Sequence, residues 1–467
     1  MKDNQHIFFH KWDKSKMKHL MKSIRNVLSM NSLQFYMPLF SLYFYIHNTP
    51  LSHKIIDLQR KYYVSEINQI IKEKYYNSNF ILKGKIFDSG KNTNKDADIF
   101  CKVIPILDPI HCINNNYNLL HKNNYHLPSC YNYNAFNKIN DMNNSSYIDV
   151  FCSYLFSQLV IQKTLPSFAI FYGSVNGIGN YKYDITEEYE DLRIDKCFNQ
   201  NIGKTFQLDM YVSSDEDTDS DSSCDSNPED DYIIRLEKIP LQLLFIEKLE
   251  GTLEDYLLDD NFDQEVLLSC LFQISFALLY LQKHYQFTHN DLHINNIMYS
   301  YTDTKYLYYK LNNKYYKVPT YGKIFKIIDF GRSIFTFKNK VYMNDVFSKN
   351  SEAWGQYQYP SQVSFLKTNT ESNQIKPNYN FDLCRLSMTI LDESEDKIKG
   401  SLLDLFIHMS TDRFGNNFCQ MDDDFSLYIK ISKDSIHSLP KDILNNEIFK
   451  KYKVIKKKFP HKSYYKI

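Results

Sequence analysis

The strongest periodicity in the chain lies in DQEVLLSCLFQISFALLYLQKHY (Asp263 to Tyr285). Val266, Leu267, Cys270, Leu271, Ile274, Leu278 and Leu281 fall on one stripe there. Spacing of three and four residues predicts a helix with a buried face, and Asp263 is placed to cap it. The same spacing marks KMKHLMKSIRNVLSM (Lys16 to Met30), whose apolar positions alternate with basic ones. Such a helix could lie on a membrane or a partner; a surface helix docked on its own domain is the reading taken. YIDVFCSYLFSQLVIQK (Tyr147 to Lys163) is a third helix, with Ser145 or Ser146 as its cap. Residues 1 to about 75 read as helical as a whole.

From Asn79 the pattern changes. NFILKGKIFDSG and ADIFCKVIPIL are short β-runs parted by the turn-rich KNTNKD. Residues 113 to 146, rich in Asn and Tyr, read as a long loop. LQLLFIEKLEGTLEDYLL (Leu241 to Leu258) predicts a strand, a connector and a helix start. YLYYKLNNKYYKV predicts a hairpin turning at Asn312-Asn313, and IFKIIDFGRSIF a buried strand that ends in a turn at Gly331. FDLCRLSMTIL and KGSLLDLFIHMS close the chain as helices. The order predicts an α+β fold in two lobes. A β-rich lobe with one main helix, about 76 to 246, precedes a mostly helical lobe, about 250 to 467. A helical extension, 1 to 75, comes first. A cleft between such lobes suits a nucleotide.

Composition narrows the picture. The 467 residues are 43% hydrophobic, enough for a sizeable core, and carry 55 basic and 55 acidic side chains. Net charge therefore offers no argument for nucleic acid or membrane binding. The most apolar run, FYMPLFSLYFYI (Phe35 to Ile46), is too short to span a bilayer and contains Pro38, so no membrane span is expected. Nine scattered cysteines without a C-x-x-C pair fit a reducing compartment, and so a cytoplasmic, intracellular location. SSDEDTDSDSSCDSNPEDD (Ser213 to Asp231) holds nine acids and seven hydroxyls; it cannot bury apolar surface and reads as disordered.

The candidate chemistry lies after the long helix, in HNDLHINNIM (His289 to Met298). Phosphoryl transfer needs a carboxylate to orient the attacking hydroxyl, oxygen ligands for Mg²⁺ and a cation on the phosphates. His289, Asp291 and Asn296 meet the spacing H-x-D-x-x-x-x-N, and Asp329, Phe330 and Gly331 form D-F-G at a strand end. Each motif alone is weak. Together, in this order, they are strong.

On these motifs the stretch from about Asn79 onward resembles the eukaryotic-type protein kinases. HNDLHINNIM and VPTYGKIFKIIDFGRS look like the divergent kinases encoded by giant DNA viruses, the mimivirus group. The resemblance implies ATP-dependent phosphorylation of Ser/Thr in an unknown protein substrate, with Mg²⁺, in a host cytoplasm or virion. It implies that Asp291 is the catalytic base and that Asn296 and Asp329 bind Mg²⁺. It makes His289 a structural loop residue, and Asp382 in FDLCRLS a buried aspartate bonded to the loop backbone. Lys102 in IFCKVIPI would grip the α/β-phosphates, with Asp149 as its acidic partner. Gly84 and Gly90 would be what remains of the Gly-rich loop, and Glu247 to Leu249 the adenine-binding hinge.

Two substitutions set this loop apart. Asn290 stands where such kinases usually have Arg, so no pair with a phosphorylated activation segment is expected. His293 stands where they have the Lys that neutralises the γ-phosphate; an imidazole can still donate a hydrogen bond. The HNDLH stretch also resembles the loops of aminoglycoside and choline kinases, which makes a small-molecule phosphotransferase the alternative. A catalytically weak pseudokinase scaffold is the third reading.

Overall fold

The computed structural model describes residues 7–42, 56–73, 78–117, 127–128, 135–211, 231–349, 351–357, 377–421, 425–460 and 464–467. The fold is mixed α+β with one large, mainly antiparallel sheet. The chain divides into two compact units: His6–Tyr147 with Tyr172–Lys248, and Ile148–Phe171 with Leu249–Ile467.

The first unit holds β1 (Phe9–Lys11), α1 (Lys14–Leu28), β2 (Asn31–Gln34), β3 (Ile56–Leu58), β4 (Tyr62–Glu73), β5 (Phe80–Asp88), β6 (Thr93–Pro105), β7 (Phe171–Asp184), β8 (Phe206–Tyr211) and β9 (Asp231–Glu247). Its sheet runs β2-β7-β9-β6-β5-β4, with β8 on β9. Helix α1 buries Leu20 and Ile24 and packs on β4, where the Ser23 hydroxyl accepts the Ile67 N–H at 3.1 Å. Asp13 caps it by accepting the Ser15 and Lys16 N–H groups.

The first 75 residues are therefore not helical throughout: α1 is followed by strands. The physical reason lies in β4. Its register against β5 slips between Val64 and Glu66, between Ile67 and Gln69, and between Ile70 and Lys72. Each irregularity adds a residue, so Val64, Ile67 and Ile70 point the same way at intervals of three, and a bulged strand carries a helix-like period. A buried ion pair, Arg60 to Asp57 at 2.9 Å, anchors the neighbouring turn. Trp12 Nε1 donates to Asp57 at 3.0 Å, and Arg60 Nε donates to the Tyr172 carbonyl at 3.0 Å, so both buried charges are hydrogen-bonded.

The second unit is built on α2 (Ser145–Ile161, from Ile148 on), β10 (Gly251–Thr252), α3 (Leu253–Leu258) and α4 (Gln264–Tyr285). Then come β11 (Ile297–Tyr301), β12 (Tyr306–Leu311), β13 (Lys314–Pro319), β14 (Lys323–Ile327), β15 (Ile334–Phe337) and β16 (Lys340–Met343). Helices α5 (Phe381–Ser394), α6 (Ser401–Met409) and α7 (Phe425–Asp434) follow, and β17 (Lys453–Val454) and β18 (Tyr465–Lys466) end the chain.

Helix α4 is the predicted one, with Asp263 accepting the Glu265 N–H. Among the described residues it is long and apolar enough to cross a membrane, but 78% of its apolar window is buried inside the protein, as in a core helix. The predicted hairpin is β12–β13, with Leu311 opposite Lys314 and Asn312 in the left-handed region at φ 52°. The last strands extend it to the order β17-β13-β12-β18.

Two local expectations change. Helix α2 is capped by Asn144, whose Oδ1 accepts the Ser146 N–H at 3.1 Å, rather than by either serine. Asn144 wins because its amide also donates to the Ile106 and Lys138 carbonyls, at 2.8 and 2.9 Å, inside the core. The stretch read as a long loop, 113 to 146, carries a short helix at Phe136–Asn140 in its described parts. Of the acidic run only Asp231 lies within the described residues. Of the apolar run, residues 35 to 42 are described, and Met37, Leu39 and Phe40 are fully buried. The seven described cysteines are free thiols.

Candidate active site

The site is assembled on the turn between α4 and β11. Asp382, in the first turn of α5, is fully buried. Its carboxylate accepts the His289 N–H at 2.9 and 3.1 Å and the Asn290 N–H at 2.9 Å. Burial holds this carboxyl above its ordinary range, while the His289 ring and the two backbone donors pull it back. His289 donates from Nε2 to the Ile328 carbonyl at 2.8 Å, which joins the loop to the strand end before Asp329. Asn290 sits in the left-handed region at φ 64°, a conformation Asn tolerates well. Its amide donates to the Arg332 carbonyl at 3.0 Å, and its Oδ1 accepts the Tyr357 hydroxyl at 3.0 Å.

These anchors leave the Asp291 side chain part-exposed, with no hydrogen bond to it among the described residues. Asn296 Nδ2 donates to the Asp291 carbonyl at 2.8 Å and meets His293 Nε2 at 2.9 Å, so the carboxamide oxygen remains for another ligand. The other imidazole nitrogen, Nδ1, faces the Asn295 N–H at 3.3 Å. A neutral imidazole accepts at one of these two nitrogens and carries its proton on the other. Burial also lowers the affinity of His293 for a proton, against the pull of Asp291. Burial thus favours the uncharged imidazole, and its Nε2 is directed at the Asn296 carboxamide.

Asp329 lies at φ 60°, also left-handed, and its Oδ1 accepts the Gly331 N–H at 3.3 Å. The Ile328 N–H donates to the Asn296 carbonyl at 3.1 Å, which sets Asp329 beside the loop. The Phe330 ring packs among Phe156, Phe168 and His289, with centroids 5.0, 6.4 and 5.7 Å away. Asp149, buried on α2, accepts the Phe330 N–H at 3.1 Å. The candidate partner of Lys102 thereby also braces the D-F-G turn.

The Asn296 amide oxygen and the Asp329 carboxylate are hard oxygen donors of the kind Mg²⁺ prefers, and would be the residues to hold it. Among the described residues no group of three or more His, Cys, Asp and Glu side chains gathers as a metal cluster.

The sequence reading passed over Arg332. Burial works against its charge, but Asp291 and then Glu352 more than offset this and hold the guanidinium firmly protonated. It pairs with Glu352 and lies over the Tyr428 ring. Its place directly after the D-F-G triplet was the available signal.

In the other unit Lys102 lies near the end of β6, opposite Leu244 and part-buried, on the face away from Ile99, Cys101 and Val103. Glu247 ends β9 opposite Ile99, and Leu249 is buried where the second unit begins. The structure does not bring Gly84 and Gly90 to Lys102. Gly84 lies mid-strand opposite Ala97, about 16 Å along the sheet, and Gly90 lies in the β5–β6 turn at its far end, at ~3.3 Å per residue. Gly84 is needed for another reason: a Cβ there would come within 2.4 Å of the Glu66 carbonyl oxygen on bulged β4.

The loop thus sets a carboxylate, an amide and a second carboxylate on a backbone held by a buried aspartate. No known protein-family profile matches the chain. In part of its length it is similar to serine/threonine-protein kinases. It is 40% identical over 91 residues to a probable serine/threonine-protein kinase of Dictyostelium discoideum, covering 18% of this chain and 8% of that protein. Over 96 residues it is 38% identical to a protein described as a serine/threonine-protein kinase in Acanthamoeba polyphaga mimivirus, covering 18% and 24%. Over 90 residues it is 36% identical to the serine/threonine-protein kinase haspin homolog of Drosophila melanogaster, covering 19% and 16%. The chain thus spans a quarter or less of the length of these relatives.

Proposed function

We propose that this protein transfers the γ-phosphoryl group of ATP to Ser or Thr hydroxyls of protein substrates, as a divergent kinase of the kind encoded by giant DNA viruses, with a bilobal protein-kinase-like fold. The observation that carries the reading is the Asp382 clamp on His289 and Asn290, which presents Asp291 part-exposed and, among the described residues, with no hydrogen bond to its carboxylate. Partial similarity to serine/threonine-protein kinases, one of them from a mimivirus, supports the protein-kinase class.

In this reading Asp291 accepts a hydrogen bond from the acceptor hydroxyl, orients it for in-line attack and receives its proton as the bond to phosphorus forms. Asn296 Oδ1 and the Asp329 carboxylate hold Mg²⁺, which when bound screens the charge of the phosphate chain. His293 acts on the reaction through Asn296, by keeping the carboxamide turned. Lys102 contacts the α/β-phosphates, and the backbone from Glu247 to Leu249 contacts adenine. A reducing, intracellular location is proposed with it, from the scattered cysteines of the sequence.

The test is phosphotransfer from labelled ATP with Mg²⁺, on protein and on aminoalcohol acceptors, comparing the natural chain with Asp291→Ala. A loss of about 10² to 10⁴-fold on protein acceptors is expected from removing the base. Equal incorporation by both proteins sinks the assignment. Transfer to aminoalcohols alone makes it a small-molecule kinase, and no transfer to either makes it a scaffold.

A further inference from the structure

We propose that Arg332 and Arg385 form an anion site beside Asp291 that selects protein substrates carrying an acidic side chain near the acceptor hydroxyl, and that Glu352 of the chain itself fills this site at rest. The inference deepens the kinase reading and rests on it.

Two arginines from separate segments share one aromatic ring. Arg332 follows the D-F-G turn and Arg385 lies on α5, three residues after the Asp382 clamp. Their guanidinium carbons lie 5.7 and 5.2 Å from the centroid of the Tyr428 ring on α7. Stacking of this kind fixes a planar guanidinium, whose edge N–H groups match the geometry of a carboxylate. The Arg332 backbone is held as well, by the amide of Asn290. The site is thus built on the same scaffold that presents Asp291.

A carboxylate is already there. Glu352 pairs with Arg332, and the side chains are 69% and 20% exposed respectively. The arginine is set into the protein and the glutamate lies over it from solvent. An exposed acid on a fixed, sunken cation is what an incoming acidic residue would displace, since a surface pair of this kind contributes little by itself. Asp291 and, more weakly, Asp329 also act on the Arg332 charge, and its backbone carbonyl is bonded by Asn290, the residue next to Asp291. Arg385 in turn is felt by the His293 ring. An acidic residue a few positions from the acceptor Ser or Thr would engage the arginines while its neighbour meets Asp291.

The probes are synthetic peptides with one Ser in a Gly/Ala background, flanked by Asp/Glu or by Asn/Gln, together with Ser→Ala versions that bind without reacting. Calorimetric binding of the Ser→Ala peptides to the full chain reads the site independently of catalysis. The acidic peptide should bind about tenfold or more tightly than the amide one, as expected for charge-assisted bonds to arginine. Glu352→Gln should tighten the acidic peptide by a further ~2- to 5-fold and leave the amide peptide unchanged, the range for an exposed pair. Arg385→Gln should abolish the preference between peptides; Glu352→Gln, altering one exposed side chain, keeps the test valid if that variant fails to fold. Equal binding of both peptides, or no response to Glu352→Gln, overturns the anion site. So does binding only when the flanking group is phosphoserine. Turnover of the Ser peptides separates the two readings: phosphorylation without acidic preference overturns this inference and leaves the kinase standing. Acidic preference in binding with no phosphorylation leaves the anion site and removes the kinase.

Discussion

The carboxylate of Asp382 bonds the backbone N–H of His289, at 2.9 and 3.1 Å, across 93 residues of chain. The proposed catalytic loop is therefore shaped by a buried carboxyl group on a distant helix. Asp382→Ala orphans two buried N–H donors, each worth roughly 1–3 kcal/mol. Denaturant unfolding should show a loss of about 2–6 kcal/mol for two such donors, and phosphotransfer should fall even where the protein is fully folded. Unchanged stability and activity would show that the clamp is dispensable.

His293 supplies the pH prediction. Its folded-state proton affinity lies below the ordinary value of 6.5, because burial opposes the charge. Below that pH the unfolded chain binds a proton that the folded one refuses. Stability is therefore fully present above pH 6.5 and falls as acid is added, and His293→Gln should flatten this part of the curve. For activity, Gln preserves an acceptor for Asn296 and should retain most of the rate. His293→Ala should lose up to ~10²-fold, the cost of a misplaced catalytic geometry. A kinase whose rate fell as pH rose through 6.5 in the natural chain, but not in His293→Gln, would show a protonated His293 at work.

Asn290 links the loop to the segment after the D-F-G turn with neutral bonds, through the Arg332 carbonyl and the Tyr357 hydroxyl. No phosphate is needed to make them. Phosphatase treatment should leave the phosphotransfer rate unchanged. Tyr357→Phe leaves a buried acceptor on Asn290 unmet and should cost about 1–3 kcal/mol. A large fall in rate on dephosphorylation would show that the segment is switched after all.

Gly84 and Gly90 should part company. A Cβ at Gly84 meets backbone at 2.4 Å, so Gly84→Ala must displace β4 or β5 and should cost about 1–3 kcal/mol, in the range of overpacking. At Gly90 the nearest atom is the Asp88 carboxylate oxygen at 3.2 Å, and Gly90→Ala should be nearly silent. Nucleotide affinity, followed by thermal shift with ATP and Mg²⁺, should not change with Gly90→Ala. A marked loss there would return Gly90 to the phosphates.

What was legible in the sequence was local. The α4 stripe, the Asp263 cap, the Asn312-Asn313 turn and the loop and D-F-G spacings depend on residues close in the chain, whose side chains point where backbone geometry sends them. Asp382 was found because its motif carries it along. The tertiary structure decided the rest. The bulges of β4 imitate a helical period until its partner strand is seen, and Gly84 is required by the Glu66 carbonyl next door. Asp149 bonds Phe330 across 181 residues, and Arg332, Arg385, Glu352 and Tyr428 come from four segments. Periodicity reports which face of an element is buried. Which polar atoms meet is set by packing between distant segments, because a buried donor takes whichever acceptor the fold brings within reach.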